Sequence, residues 1–303
     1  MHKLLRVLNC RHDAGSWGLG GVRGSLHGAH KEVALSVHGT ALGGMADVVW
    51  RLRSRGCWQE AADLLRPQAG RDPTAALQRA ELLIEQCLFT ADHWERAEDA
   101  LRQAEASVAG SEHRAAASCA RGYLAYVASV LGRRDRLDEA QAALGRTSAL
   151  LPPKAPGRPL LDFRRGLVAE NLLHDPAAAH SAYTRAHEGA KERGDDLLRS
   201  STWCHLAGLA GAAGDLERAR DGFRAALELR ERLGFTVGVA PALAALAEVS
   251  EPAEAERLRA EATRLVQALG GAPVWLARRL GHLPEQAAAP DGGTVRDLRH
   301  GIS

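Results

Sequence analysis

Aromatic residues are scarce in this chain of 303 residues: Phe, Trp and Tyr together make up 4 %. β-Sheets favour β-branched and aromatic side chains. A hydrophobic fraction of 46 % drawn mostly from Ala, Leu and Val therefore points to close helix packing. An excess of charge of one sign is also lacking. Lys+Arg number 39 and Asp+Glu 37, for a net charge of +2, which supplies no general attraction to nucleic acid or an anionic membrane. Lysine is confined to Lys3, Lys31, Lys154 and Lys191. The five cysteines, Cys10, Cys57, Cys87, Cys119 and Cys204, contain no close pair, which argues against a disulfide framework or a zinc knuckle. No run reaches the roughly 18 apolar residues of a membrane helix. The apolar patch Leu4 to Leu8, broken by Arg6, is too short for a signal-peptide core. The expectation is a soluble, cytoplasmic protein with no membrane contact.

Composition divides the chain in three. Residues 1–44 hold nine glycines and five of the 13 histidines (His2, His12, His27, His30 and His38). They read as a Gly/His-rich segment outside the packed domain, disordered or mis-assigned, with Met45 as an alternative start. Residues 45–281 read as almost continuous helix, with Gly and Pro falling mainly between apolar-periodic runs. The stretch Leu151 to Pro159, with four prolines, reads as a stiff connector. Residues 282–303 read as a flexible tail.

The central region repeats. Ala61, Ala97, Ala140, Ala179, Ala219 and Ala255 recur at intervals of 36 to 43 residues. Four positions after them stand Leu65, Leu101, Leu144, Tyr183 and Phe223, with Arg259 breaking the series. Seven after stand Gln68, Ala104, Thr147, Ala186, Ala226 and Ala262. Positions i, i+4 and i+7 share one helix face. The small anchor lets a neighbouring helix approach, and the large residue one turn on fills the space between units. Asp135, Asp175 and Asp215 precede three of these helices as candidate caps. Pro176 and Pro252 suit a first turn. A second apolar run lies upstream of each, so the unit is a helical hairpin of roughly 40 residues.

One unit carries a family likeness. Trp203-x-x-Leu206-Ala207-x-x-Ala210, followed by Ala219-x-x-x-Phe223-x-x-Ala226, resembles the tetratricopeptide (TPR) signature, with Ala207 in place of Gly and Ala210 in place of Tyr. The phrase Ala225 to Gly234 is similar to the C-terminal helical repeats of large bacterial transcriptional regulators. The resemblance implies an all-α, right-handed superhelical solenoid of about six hairpins whose concave face binds a peptide, a protein or a small effector. Those regulators also carry a nucleotide-binding module and a helix-turn-helix, neither of which is visible here. A sensor or regulator acting through a partner is the alternative reading, and an enzyme on a helical scaffold the third.

Motifs for chemistry are incomplete. The run Gly18-Leu19-Gly20-Gly21-Val22-Arg23-Gly24 lacks the Lys and Ser/Thr of a phosphate loop. Cys10/His12 and His27/His30 offer ligand types but no frame to hold four of them. His180 and His187, seven apart, share a helix face and would need Glu170 or Glu188 to make a site. Cys204 and His205 are adjacent on a helix and point about 100° apart, so they do not pair. The turn Arg133-Arg134-Asp135-Arg136 reads as a solvated loop. No catalytic residue, metal site or cofactor is expected, and no direct nucleic-acid contact. The expected partner is a protein or peptide. The expected contacts are polar residues of the first helix of each hairpin: Arg79, Gln86, Ser129, Arg164, Asn171 and Ser201. Arg164 and Asn171, seven apart, are the pair expected to hold a carboxylate or an extended backbone while bearing little on stability; the alternative is that Arg164 pairs with a nearby acid such as Asp162 or Glu170.

Overall fold

The computed structural model describes residues 40–271 and 273–281. The glycine run and the Cys10, His12, His27 and His30 positions lie outside these residues, as do Lys3, Lys31 and residues 282–303. The described residues form thirteen helices and no strand. They are α1 (Thr40–Ser54), α2 (Trp58–Ala69), α3 (Pro73–Thr90), α4 (Trp94–Ser107), α5 (Ser111–Val130), α6 (Leu137–Leu150) and α7 (Arg158–Asn171), then α8 (Pro176–Arg193), α9 (Asp196–Ala212), α10 (Leu216–Arg232), α11 (Thr236–Glu248), α12 (Pro252–Ala268) and α13 (Val274–Arg279). Each helix from α1 to α12 packs on its neighbour in sequence, α13 packs on α11, and the first helices of the second, third and fourth hairpins also touch in succession. The odd-numbered helices α3, α5 and α7 thus form an inner layer.

Short polar side chains start these helices. Asp72, Asp175, Asp195 and Asp215 each accept a hydrogen bond from a backbone N–H of the following first turn, at 2.9–3.1 Å. Asp135 bonds the N–H of Leu137, while Arg136 occupies the cap position. Pro176 and Pro252 open α8 and α12, where the missing N–H costs nothing. The proline-bearing connector is shorter than its composition predicts, because Arg158 and Pro159 already belong to the first turn of α7. Gly234, at φ +64°, ends α10 in the left-handed conformation that lets Phe235 N–H reach the carbonyl of Arg230.

The six alanine anchors are among the most deeply buried residues. Ala61, Ala97, Ala140, Ala179 and Ala219 are fully inaccessible, and Ala255 nearly so. The large residues one turn on are buried too, apart from Arg259, which faces solvent. Glycines on the facing helices admit two of them. A Cβ on Gly166 would sit 2.4 Å from the Tyr183 ring, and one on Gly122 2.8 Å from Leu144. In the fifth hairpin, where Ala207 stands in place of Gly, the close approach comes from Gly222 on the opposite helix, whose Cβ would lie 2.8 Å from that of Ala207.

The chain of hairpins also closes on itself. Trp50 of α1 stacks on Phe235 at the start of α11, with ring centroids 5.9 Å apart. Phe89 of α3 meets Trp275 of α13 edge-on at 6.0 Å. Phe223 is 6 % exposed, between α9, α10 and α11. Phe223→Ala is therefore expected to cost about 3–5 kcal/mol, the range for truncating a buried Phe. Urea unfolding measures it, and a change near zero would show that the pocket collapses without loss.

Candidate functional site

The inner layer carries a strip of charged and aromatic side chains. Glu81 and Glu85 are four apart on α3 and so share a face. Arg53 of α1 donates through Nε to Glu85 at 2.7 Å, and its guanidinium lies 5.8 Å from the centres of both Trp50 and Phe235. Arg164 of α7 lies 4.6 Å over the ring of Tyr123 on α5 and donates through Nη2 to Glu81, two hairpins away. Burial opposes the Arg164 charge, but the Glu81 carboxylate, with smaller contributions from Cys119 and Tyr123, holds its pKa above the ordinary value. Burial pushes the Tyr123 phenol upward, against a smaller opposite pull from Arg164.

Further along, Glu170 Oε2 accepts from two groups at once. Tyr183 donates its hydroxyl at 2.6 Å, and His205 Nδ1 lies 2.8 Å away. The His205 ring stacks on Tyr183 at 4.8 Å and meets Phe163 edge-on at 5.5 Å. Burial raises the Tyr183 phenol well above its ordinary value, with the Glu170 charge acting the same way, so it serves as a donor throughout the physiological range.

Of the six residues expected from sequence, only Arg164 lies in this strip as a charged group. It is 5 % exposed and committed to Glu81, not to Asp162 or Glu170 on its own helix. Asn171 is 3 % exposed, and its amide donates to the Tyr126 hydroxyl and to the Leu167 carbonyl, both at 3.1 Å. Gln86 is buried with its Oε1 unpartnered. Arg79 turns toward Gln103 of α4. Ser129 Oγ accepts from the backbone of Arg136, and Ser201 donates to the Leu197 carbonyl of its own helix. The expectation that Arg164 and Asn171 bear little on stability is thus corrected, since both hold helices together. Sequence reasoning missed Arg53, Glu81, Glu85, Tyr123, Glu170 and His205 as a set. The four-residue spacing of Glu81 and Glu85 on a first helix was the one available signal.

Two clefts open elsewhere. One, of about 620 Å³, runs between α8 and α9 over Trp203, Leu206 and Ala210 and is edged by His180, His187 and Lys191. The Thr202 hydroxyl donates to the Arg199 carbonyl at 2.9 Å, so His187 Nδ1, also 2.9 Å away, donates to Thr202. Burial lowers the His187 pKa. The other cleft, of about 910 Å³, holds the Arg133–Arg136 turn. There Arg136 pairs with Glu98 and Glu139, and Arg133 lies 5.1 Å over Trp94. Among the described residues no three His, Cys, Asp or Glu side chains converge as a metal site, and no helix is long and apolar enough to cross a membrane.

No protein-family model matches this sequence, and no curated protein is similar to it.

Two measurements follow from the buried polar groups. Arg164→Ala is expected to lower stability by about 2–3 kcal/mol, less than the 3–5 of a fully buried broken pair, because Glu81 keeps 33 % of its side chain in solvent. Denaturant unfolding that shows no loss would mean the pair contributes nothing net. His187 has a depressed folded-state pKa, so its contribution is complete above the unfolded imidazole value of about 6.5 and is lost as the pH falls below it. Stability measured from about pH 7 to about pH 5 should fall less steeply in His187→Gln than in the parent; equal slopes would exclude His187 as a source of acid sensitivity.

Proposed function

We propose that this chain is a non-catalytic interaction protein of the TPR type, a right-handed superhelix that binds an extended segment of a protein partner on its inner strip. The observation that carries this reading is the composition of the strip. It combines half-buried Tyr123, Phe163 and His205 with Arg53 and Glu81, which keep 34 % and 33 % of their side chains accessible. Aromatic and arginine side chains in such partly desolvated settings provide most of the binding energy at protein interfaces. The hairpin spacing, the buried alanine anchors and the Trp203–Phe223 signature support the family reading.

The binding mechanism is preorganisation. Tyr123 is held by the Arg164 guanidinium over its face and by stacking on Tyr126 at 6.1 Å. His205 is oriented by Glu170, with Phe163 and Tyr183 against its ring. An incoming peptide then meets side chains already fixed, and little ordering entropy opposes binding. Arg53 and Glu81 can add ion pairs to the partner without leaving a buried charge alone, because each already has an internal counter-charge.

A photo-crosslinking residue replacing Tyr123 on the inner strip, compared with one replacing the exposed Glu228 of α10, tests this in the native cell. The expected result is a discrete protein adduct from position 123 and none from 228. Adducts from 228 alone would move the binding surface to the outside.

A further inference from the structure

The 620 Å³ cleft between α8 and α9 shares no residue with the inner strip. One of its walls departs from the signature that the fifth hairpin resembles. Where that signature has Tyr, α9 has Ala210, half-buried and lining the cleft. Long side chains on a helix lean back toward its N-terminus, so a Tyr ring here would lie over Leu206 and Trp203. Both of these are half-buried and line the same cleft. Ala125 and Ala169 stand three residues after Gly122 and Gly166, as Ala210 does after Ala207. Those two alanines are buried by their neighbours. Of the three, Ala210 alone is left open.

The surroundings of that space suit a ring bearing an acid. His187 stands edge-on to Trp203, with ring centroids 4.7 Å apart. α8 and α9 run antiparallel, so His180, seven residues before His187, comes level with Ala210, seven after Trp203; both line the cleft. Arg218, exposed on the first turn of α10, closes this end. The nearest acid in sequence at this end, Asp215, caps α10 by accepting from the Arg218 backbone N–H. The Arg218 guanidinium itself makes no ion pair among the described residues. The remaining acid of the cleft, Glu188, stands at the opposite end beside Lys191. The volume falls in the range of about 300–1,000 Å³ usual for small-molecule sites.

We propose that this cleft is a second binding site, for a small aromatic carboxylate. The ligand's ring takes the place that a tyrosine at position 210 would fill, against Trp203, Leu206 and His180, and its carboxylate pairs with Arg218. The apolar wall supplies contact area, and the free guanidinium fixes the orientation. The site stands apart from the inner strip, so it does not depend on that strip being a peptide-binding surface.

Calorimetric titration of the full chain with indole-3-acetate tests the site. The comparison probes are 3-methylindole, a ring without the carboxylate, and hexanoate, a carboxylate without the ring. Indole-3-acetate is expected to bind with a Kd of about 1 mM or below, as suits a ligand of this size. Each comparison probe is expected to bind at least about threefold more weakly. Ala210→Tyr fills the cleft from within: binding should be lost, with a thermal midpoint equal to or above that of the parent. Arg218→Met should weaken indole-3-acetate about three- to fivefold and leave 3-methylindole unchanged. A Kd well above about 1 mM for indole-3-acetate overturns the site, as does unchanged binding in Ala210→Tyr. Hexanoate or 3-methylindole binding as tightly as indole-3-acetate overturns the assignment of an aromatic carboxylate. If Ala210→Tyr lowers the midpoint, Arg218→Met decides, because its side chain is exposed; equal affinity in parent and variant then overturns the proposal.

Discussion

Everything in this molecule depends on how closely two helices of a hairpin can approach. A side chain no larger than a methyl group at one point of each second helix lets the first helix pack against it, and the large residue one turn later fills the gap beside it. Both are needed. Without the small anchor the helices stand apart, and without the Leu, Tyr or Phe a cavity remains. Gly122 and Gly166 extend the rule to the facing helix, and Gly222 restores the approach where Ala207 stands. Each hairpin is thereby a nearly rigid unit, and the larger architecture comes from how these units lean on one another.

That leaning brings charges inward. An inner layer of helices curving round on itself narrows the space between them, so side chains that would be solvated on an open solenoid face one another. Arg164 reaches Glu81 across Tyr123, Arg53 reaches Glu85, and Glu170 collects Tyr183 and His205. Such buried pairs give little net stability, but they fix which inner residues meet.

The curvature ends in contact. Trp50 and Phe235 are 185 residues apart in the chain yet stack. With so few aromatic residues in the sequence, eight of them at inner contacts and this closure is a concentrated use of large rings. The junction between α8 and α9 adds histidine hydrogen bonds and an open cleft to the packing of Leu197, Leu206 and Leu209 against the main core.

The helical class, the hairpin unit, the anchors and most of the helix starts were legible in the amino-acid sequence, because they rest on contacts within about 40 residues. Phe223, four positions after Ala219, was assigned to a buried face by spacing alone. So were the capping roles of Asp175 and Asp215. The inner strip was not legible in the same way. Arg164 and Asn171 read as groove residues because polar side chains off the apolar stripe ordinarily meet solvent. Both are buried because a second or third hairpin arrives from elsewhere in the chain. Helix periodicity specifies which face a residue occupies, but only the accumulated rotation from one hairpin to the next determines what that face meets. That rotation is a sum of many small packing angles that no single residue announces. The pairing of Arg164 with Glu81, 83 positions apart, and the meeting of α1 with α11 belong to the tertiary structure alone.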